Sequence, residues 1–395
     1  MMFTRLAVLT LVSVVMFNTV ARAITPATLV GEDLQAQAVN LQGAREGQLL
    51  YFGEDRVLRT EPLDRFLQIR DLPGAETVSP GPDSSTIVLS DGQRFAGQWL
   101  GVSSDGRTIQ WRHPLLGDLT LALDRVRTIS FRSPLEPGPG VAPAADLVQL
   151  VNGDRLEGFV TDLTADGVAF APDGAAAGDP PVLLPFDRLA VIRLANPDAP
   201  PTKSAHHLVL NDGSRLAGEN LTIAGKTVAM TLTVPRSDGA AASVDIPLAF
   251  VSRIDLASPR GRLADLGEAT MTVTGGGTVF GVAMPPAMSD VGLRLHAPVT
   301  LRLNLPPGSA RFAAQAVLDL QAGADARRWA DLDLIVRDSR RVLLRQRLHA
   351  GEPTAVINIP LTEPELIIEL DPGLNGPVMD RLLLLKPTLF IQTAP

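Results

Sequence analysis

The sequence contains no cysteine, and this absence excludes several kinds of site. A chain without thiols has no disulfide framework, no thiolate zinc site and no cysteine nucleophile. Aromatic residues make up only 4% of the 395 residues, with three Trp and one Tyr. The formal net charge is −8, which argues against a general nucleic-acid-binding protein, because such a protein needs a basic face to neutralise phosphate.

Catalytic motifs are also missing. The sequence has no P-loop, no G-x-S-x-G and no H-E-x-x-H. Its five histidines have no metal-ligand spacing, since the adjacent His206 and His207 would face opposite sides of a strand. No motif singles out the two carboxylates that a glycoside hydrolase needs. The sequence therefore favours a protein that is not an enzyme and has no cofactor, and an unrecognised hydrolase is the weakest alternative.

The first 23 residues are typical of a secretory signal peptide. Arg5 supplies a short positive start, residues 6–17 form an apolar run, and Ala21-Arg22-Ala23 matches an A-x-A cleavage site. We expect export to the periplasm or the cell exterior, associated with the cell envelope, and no membrane span after cleavage. The alternative is that the segment is retained as an anchor.

A short motif recurs three times in the middle of the chain. Each copy is an apolar strand, an Asp-Gly or Asn-Gly pair and a second strand that ends in Gly; the copies are 87–97, 148–158 and 208–218. Gly92, Gly153 and Gly213 lie 61 and 60 residues apart. Asp-Gly and Asn-Gly pairs supply the positive φ angles of tight hairpin turns. The motif therefore predicts three repeats that each begin with a hairpin.

A second recurring block closes each repeat. Its copies, of the Pro-Leu-Asp-Arg type, are 62–69, 122–129, 185–192 and, more loosely, 247–254. The first copy reveals a fourth, degenerate repeat over about 28–72, whose opening has lost the Asp-Gly turn. The block predicts a one-turn helix before a closing strand. We interpret Asp64, Asp124 and Asp187 as caps of that turn and the following arginines as covers for one end of each repeat.

The order of hairpin, hairpin, short turn and closing strand resembles small SH3-like or Sm-like β-barrels. The sequence thus predicts an all-β protein with four tandem barrel repeats at 24–78, 86–132, 146–195 and 205–258. Stretches rich in Pro, Gly and Ala at 79–85, 133–145 and 196–204 are interpreted as linkers that join the barrels in a row.

The pattern changes to longer strands in the last third of the chain. Predicted strands cover 299–305, 311–318, 330–337, 341–348, 354–359, 365–370 and 381–391. Seven or so strands with regular turns indicate an antiparallel β-sandwich. The best helix candidate, 322–330, is short.

Two phrases in this region carry a family resemblance. Gly292-Leu-Arg-Leu-His296 with the strand after it, and then 303–317 around Phe312, resemble the NPCBM family of carbohydrate-binding modules. The strand pair in 332–348 and the ending at Asp380 and 386–389 are also similar. The resemblance implies a jelly-roll-like β-sandwich over 265–395 that binds carbohydrate, in a family found beside some glycoside hydrolases.

Three residues are candidates for ligand binding: His296, Trp329 and Asp380. His296 falls on a family motif position and could orient a ligand hydroxyl, or it could be a buried structural residue. Trp329 could stack on a pyranose ring or pack in the core. The other two tryptophans, Trp99 and Trp111, are predicted to be core residues of the repeats.

Oxygen ligands for calcium are a further possibility in the same region. Asp371, Asn375 and Asp380 lie close together in the sequence, although ordinary turn chemistry explains them better. Whether the chain binds a metal therefore stays open at this point.

Two functions follow from these observations. The first is an exported multidomain protein that binds glycan or envelope polysaccharide through the C-terminal sandwich. The alternative is a structural or assembly protein of the cell envelope, in which the repeats contact partner proteins and sugar binding has been lost. The low aromatic content favours the second, and the family resemblance favours the first.

Overall fold

A computed structural model describes residues 25–72, 84–131, 144–164, 166–176, 179–197, 205–235, 241–289, 291–319, 329–377 and 379–393. These residues form an all-β protein with several sheets, whose helices are single 3-10 turns. The signal peptide, most of the three linkers and most of the helix candidate at 322–330 lie outside the described residues. Within the described part of the chain, we find no helix that is both long and apolar enough to cross a membrane.

Four repeats of five strands occupy the first two thirds of the chain. Repeat 1 comprises β1 Thr25–Gly31, β2 Ala36–Arg45, β3 Gln48–Phe52, β4 Leu58–Pro62 and β5 Phe66–Arg70. Repeat 2 comprises β6 Ser85–Leu89, β7 Arg94–Val102, β8 Thr108–His113, β9 Gly117–Ala122 and β10 Val126–Ser130. Repeat 3 comprises β11 Asp146–Leu150, β12 Arg155–Leu163, β13 Gly167–Pro172, β14 Val182–Pro185 and β15 Leu189–Arg193. Repeat 4 comprises β16 His206–Leu210, β17 Arg215–Ala224, β18 Thr227–Pro235, β19 Ala241–Pro247 and β20 Val251–Asp255.

The same pairing scheme holds in all four repeats. The first strand pairs with the second and the fifth, and the second, third and fourth strands pair in sequence. The third strand buries one large side chain at a fixed place, namely Tyr51, Trp111, Phe170 and Met230 in turn. Diagonally across from this position, Gly158 leaves no room for a side chain, because a Cβ there would lie 2.1 Å from the Ala171 carbonyl oxygen and 2.9 Å from the Phe170 ring. The glycine that ends each motif is thus a packing requirement.

The turn that opens each repeat is stabilised by a side chain as well as by glycine. Asp91, Asn152 and Asp212 accept a hydrogen bond from the backbone N–H two residues later, at 2.8 to 3.1 Å. Repeat 1, which lacks the glycine, keeps this turn, since Asp33 accepts the equivalent bond and Leu34 takes the glycine's place at φ 55°. Repeat 1 has therefore lost the Asp-Gly pair, as predicted, but the prediction that it has also lost the turn is wrong.

Removing a turn glycine should destabilise its repeat through the backbone alone. Gly153 has φ +92°, and no atom lies within 4 Å of the place that an alanine Cβ would occupy. Gly153→Ala is therefore expected to lower the free energy of unfolding in urea by about 1 kcal/mol. Gly267 also has open space and lies in a 3-10 turn without positive φ, which makes Gly267→Ala the matched control. Equal losses in the two variants would show that the turn conformation is not what matters.

The short turn before each closing strand is a 3-10 helix, as predicted; the turns are Leu63–Arg65, Leu123–Arg125, Phe186–Arg188 and Leu248–Phe250. The capping role assigned to Asp64, Asp124 and Asp187 is wrong, because no side chain caps any of these turns. The capping position is held by a proline or an alanine, and each aspartate lies two residues after it, which is too late to cap. Two of the arginines bind carboxylates, namely Arg65 with Glu61 at 2.9 Å and Arg125 with Asp91 at 2.5 Å.

The repeats do not follow one another in space as they do in the sequence. Closing strands pair between repeats 1 and 4 at Ile69 and Ile254, and between repeats 2 and 3 at Ile129 and Ile192. Repeats 2 and 4 meet at Arg94 and Arg215. Strand pairing therefore joins the repeats in the order 3-2-4-1, around one shared hydrophobic core. The expectation of a row in sequence order is wrong, since edge strands were free to pair across repeats.

The C-terminal segment begins at β21 and contains two larger sheets. One consists of β25 Ala287–Met288, β26 Gly292–His296, β33 Arg381–Gln392, β28 Ser309–Leu318, β31 Thr354–Pro360 and β21 Gly261–Asp265. The other consists of β22 Thr270–Gly276, β27 Val299–Asn304, β32 Glu365–Pro372, β29 Asp331–Arg337 and β30 Val342–His349. A hairpin, β23 Thr278–Val279 with β24 Val282–Ala283, and a 3-10 turn, Leu266–Glu268, complete it. All seven predicted strands are present, and both sheets supply one second core.

Two polar contacts connect this segment to repeat 1. Arg260 binds Glu32 at 2.6 Å, and the Asn358 side-chain amide donates to the Asp33 carbonyl at 2.9 Å. The C-terminal segment thus abuts the opening turn of repeat 1.

Candidate functional site

The strand register brings several loops of the C-terminal segment to one end. Gly276, Val299, Leu370 and Leu334 stand side by side on four neighbouring strands of one sheet. In the other sheet, His296 pairs with Arg381. The Ala297 N–H donates to the Asp380 carbonyl at 2.9 Å across this end. We call this the loop end; it comprises the loops at 276–284, 296–298, 329–331, 349–353 and 372–380.

An ion pair between a buried aspartate and an exposed arginine organises the loop end. Asp331, only 7% exposed, binds Arg347 of the neighbouring strand through both carboxylate oxygens, at 2.8 and 2.5 Å. The Leu374 N–H donates to the same carboxylate at 3.2 Å. The Arg347 guanidinium, above all, lowers the pKa of Asp331, so the carboxylate stays ionised. Asp331 is therefore an anchor for the loop that follows β32.

That loop is held at three points. Besides the Leu374 bond, the Gly373 N–H donates to the Asp331 carbonyl at 2.6 Å, and the Asn375 amide donates to the Trp329 carbonyl at 3.4 Å. A Cβ at Gly373 would lie 2.2 Å from the Asp331 carbonyl oxygen. Only glycine allows this close approach, and the loop is thereby fixed beside Trp329.

The same arrangement leaves apolar surface exposed. Trp329 is 46% exposed and Leu374 is 87% exposed. The exposed side chains of Asp371, Asn375 and His349 lie on the same loops. A partly exposed indole with an aliphatic neighbour and a few polar groups is the composition of a surface that binds a ring with both C–H and O–H groups.

Asp380 lies beneath this surface and is fully buried. Its Oδ1 accepts the Asp331 N–H at 3.0 Å, while its Oδ2 is buried without a hydrogen-bond partner. Burial raises the pKa of Asp380 to about 6, with Asp331 as a second negative charge nearby. Asp380 therefore supports the backbone before β29 and is not itself on the surface.

His296 is also mostly buried, with 8% of its surface exposed. Its Nδ1 lies 2.7 Å from the Ala297 carbonyl oxygen, which can only accept, so Nδ1 carries the hydrogen. The structure thus brings His296, Trp329 and Asp380 to one end of the segment, and Trp329 is the one with a large exposed surface. Trp111 is buried as predicted, and half-buried Trp99 stacks on Phe131 and Phe186.

The proposed calcium ligands are used in other ways. Asn375 donates its amide nitrogen to the Trp329 carbonyl, Asp380 is buried and accepts the Asp331 N–H at Oδ1, and Asp371 is exposed. Among the residues that the structure describes, no three His, Cys, Asp or Glu side chains form a group suited to a metal ion.

A second polar cluster lies between repeats 2 and 4. His113 Nε2 is 3.1 Å from Ser214 Oγ and 3.7 Å from Asp212 Oδ2. His113 Nδ1 accepts backbone N–H groups from Leu115 and Leu116, so in the neutral ring Nε2 carries the hydrogen. An imidazole in this tautomer cannot take the serine proton. Burial lowers the pKa of His113 to about 4, and the cluster has the geometry of a buried contact between repeats.

The sequence analysis did not identify several residues of the loop end as candidates. Asp331 and Arg347 meet only because their strands pair at one register, and no motif marks them. Leu374 was visible as an apolar residue in a Gly-Leu-Asn-Gly loop, which is a usable signal.

No protein-family model and no curated relative matches this sequence. Among solved structures, the CBM51-2 and INT domains of Clostridium perfringens ZmpB with GlcNAc superpose with a TM-score of 0.27 at 11% identity, covering 42% of this chain and 37% of that one. The M60 catalytic domain of ZmpB with both CBM51 domains gives 0.27 at 11%, covering 88% and 41%. An exo-β-1,3-galactanase from Phanerochaete chrysosporium gives 0.18 at 9%, covering 91% and 83%. These similarities are too weak to assign the chain to a family.

Proposed function

We propose that this chain is an exported protein, without enzymatic activity, that binds carbohydrate at the loop end of its C-terminal segment. The observation that carries the proposal is the exposed Trp329, whose backbone carbonyl accepts the Asn375 amide of the loop that also carries the exposed Leu374. A flat indole face suits the C–H face of a pyranose ring, and neighbouring polar groups suit its hydroxyls.

The charges at this end fit a neutral ligand. The Asp331 carboxylate is already bound by Arg347, and Asp380 is buried. Asn375 uses its amide nitrogen on the Trp329 carbonyl, so its carbonyl oxygen is the group that would accept a hydroxyl hydrogen. Binding at one such shallow site would be weak, and useful strength would come from several sites engaging one polysaccharide.

The finer fold assignments belong to the same proposal. We infer that each repeat is an SH3-like or Sm-like barrel, because its first strand pairs with both the second and the fifth strand. We infer a jelly-roll-like sandwich of the NPCBM type for 265–395, because two sheets share one apolar core. The boundaries 24–78, 86–132, 146–195 and 205–258 for the repeats, cleavage after Ala23 and location in the periplasm or outside the cell complete the proposal.

The alternative, a structural or assembly protein of the cell envelope, is favoured by one observation. Repeat 3 exposes about half of each of four apolar side chains, namely Val151 51%, Phe159 58%, Val182 51% and Leu183 51%. Exposed apolar surface of this kind often marks a protein-protein contact. The two functions are compatible, because they use different ends of the molecule.

Replacing Trp329 by alanine should separate the two functions. On a broad glycan array, the intact exported chain is expected to bind at least one polysaccharide, and Trp329→Ala should weaken that binding at least tenfold because the stacking face is lost. Trp329→Phe should give an intermediate loss. Val356→Ala removes an apolar side chain that is 76% exposed on strand β31, outside the loops of the loop end, and should bind normally.

Two results would contradict the proposal. One is equal weakening by Trp329→Ala and Val356→Ala. The other is the absence of binding across the array while chemical cross-linking recovers stable protein complexes, which would favour the assembly function.

A further inference from the structure

The contact between repeats 2 and 4 has an approximate two-fold axis. Arg94 and Arg215, which pair across it, hold the same position in their repeats, two residues after the turn glycine. Gln93 Oε1 accepts the Ala217 N–H at 2.9 Å, and Ser214 Oγ accepts the Ala96 N–H at 2.9 Å.

These bonds are reciprocal. Gln93 and Ser214 each follow the turn glycine of their own repeat directly. Each binds the N–H of the other repeat that lies three residues after the partner position, so Gln93 binds Ala217 and Ser214 binds Ala96. Each repeat therefore supplies one side-chain acceptor and one backbone donor. This is an isologous contact built twice from one sequence motif.

Repeat 3 has the same elements at its own opening turn. Asp154 follows Gly153 and carries the acceptor, Arg155 holds the pairing position, and Glu157 has the backbone N–H. Asn152 donates to one carboxylate oxygen of Asp154 at 2.7 Å, and Oδ1 is the other acceptor. All four residues are exposed, whereas their counterparts in repeats 2 and 4 are largely covered.

Among the four repeats, repeat 3 is the one whose opening turn is exposed throughout in the part of the chain that the structure describes. In repeat 1 the same turn is next to the C-terminal segment, which binds Glu32 and Asp33. In repeats 2 and 4 the two turns cover each other. Along the order 3-2-4-1, repeats 3 and 2 meet at their closing strands, repeats 2 and 4 at their opening turns, and repeats 4 and 1 at their closing strands. If this alternation continues beyond repeat 3, its free side would make a contact through its opening turn.

We propose that the opening turn of repeat 3 docks on the same turn of a second copy of this chain, across a two-fold axis at Arg155. Asp154 of each copy accepts the Glu157 N–H of the other. Asp154 and Glu157 are balanced in each copy by Arg155 and the exposed Arg188 of the neighbouring 3-10 turn. Half-exposed Val151 and Phe159 supply apolar area beside these groups. The proposal does not depend on sugar binding.

Disulfide trapping gives a direct test, because the chain has no cysteine of its own. Residues that pair across antiparallel strands have Cα atoms about 4.5 to 5.5 Å apart, which suits a disulfide. The full-length variant R155C is therefore expected to oxidise to a covalent dimer. D166C places the cysteine at the exposed turn at the other end of β12 and should form no covalent dimer, which makes it the matched control.

Light scattering across a concentration series tests the native contact. The unmodified chain is expected to reach twice the monomer mass as its concentration rises, and D154K should weaken association at least tenfold. D166K makes the same charge change at the control site and should associate normally, and thermal unfolding should show that all variants are folded. A monomer at every concentration, or equal trapping of R155C and D166C, would overturn the proposal.

Discussion

Truncating Trp111 to alanine is expected to lower the free energy of unfolding by about 4 kcal/mol. Trp111 is fully buried in the shared core of the repeats, so its removal costs both transfer energy and a cavity. Trp329→Ala is the control, since nearly half of that side chain is exposed and its loss should cost less than about 1 kcal/mol.

Urea unfolding, followed by far-ultraviolet circular dichroism, measures both changes. The comparison also tests the shared core. If each repeat unfolded alone, Trp111→Ala would shift only part of the transition, whereas the pairing of strands between repeats predicts that the four repeats lose stability together. A partial shift, with the rest of the transition unchanged, would contradict the joint unfolding of the repeats.

Acid should weaken the repeats and spare the C-terminal segment. Burial lowers the pKa of His113 to about 4 and that of His207 to about 4. Between pH 6.5 and 4 the unfolded state binds protons that the native state refuses, so stability falls as the pH falls. For His113 the loss amounts to as much as about 3 kcal/mol by pH 4.

Asp380 acts in the opposite direction. Burial raises its pKa to about 6, so between pH 4 and 6 the native state binds the extra proton and stability rises as the pH falls. Asp331, Arg347, His349, His296 and Arg381 are the charged or titratable groups on the strands around it. Lowering the pH should therefore reduce the stability of the core of the repeats and maintain or increase that of the C-terminal core.

Calorimetry at pH 7 and pH 4.5 is the measurement. The transition of the repeats should move down, and that of the C-terminal segment should hold or move up. His113→Gln should reduce the first shift, and Asp380→Asn should remove the second effect. Equal shifts of both transitions, unaffected by these variants, would contradict the assignment.

Local features of this fold were predictable because they depend on neighbouring residues. The turns at Gly92, Gly153 and Gly213 and the seven C-terminal strands follow from turn chemistry and alternation. Repeat 1 shows the limit of that reasoning, since Asp33 maintains a turn that the missing glycine suggested was lost. The aspartates of the Pro-Leu-Asp-Arg block show it again, because each lies two residues after the capping position.

The candidate site was predictable in part. Trp329 was a candidate because a flat indole face suits a pyranose ring and because it lies in a connection between predicted strands, and His296 and Asp380 followed from the family resemblance. The structure brings the three to one end but buries His296 and Asp380, so only Trp329 is largely exposed. Leu374 and the Asp331–Arg347 pair could not be assigned, since their proximity depends on strand register and on a loop that returns to the sheet.

The sequence by itself determined an all-β chain with four similar repeats and a different C-terminal segment. Alternation, turn residues and the 60-residue period are local, and so they are legible without a structure. Only the tertiary structure decided the order 3-2-4-1, the buried contact between repeats 2 and 4 and the loops around Trp329. Those features depend on contacts between residues far apart in the sequence, from Asp331 with Leu374 to Gln93 with Ala217. Equivalent edges in four similar repeats also offer many pairings, from which packing selects one.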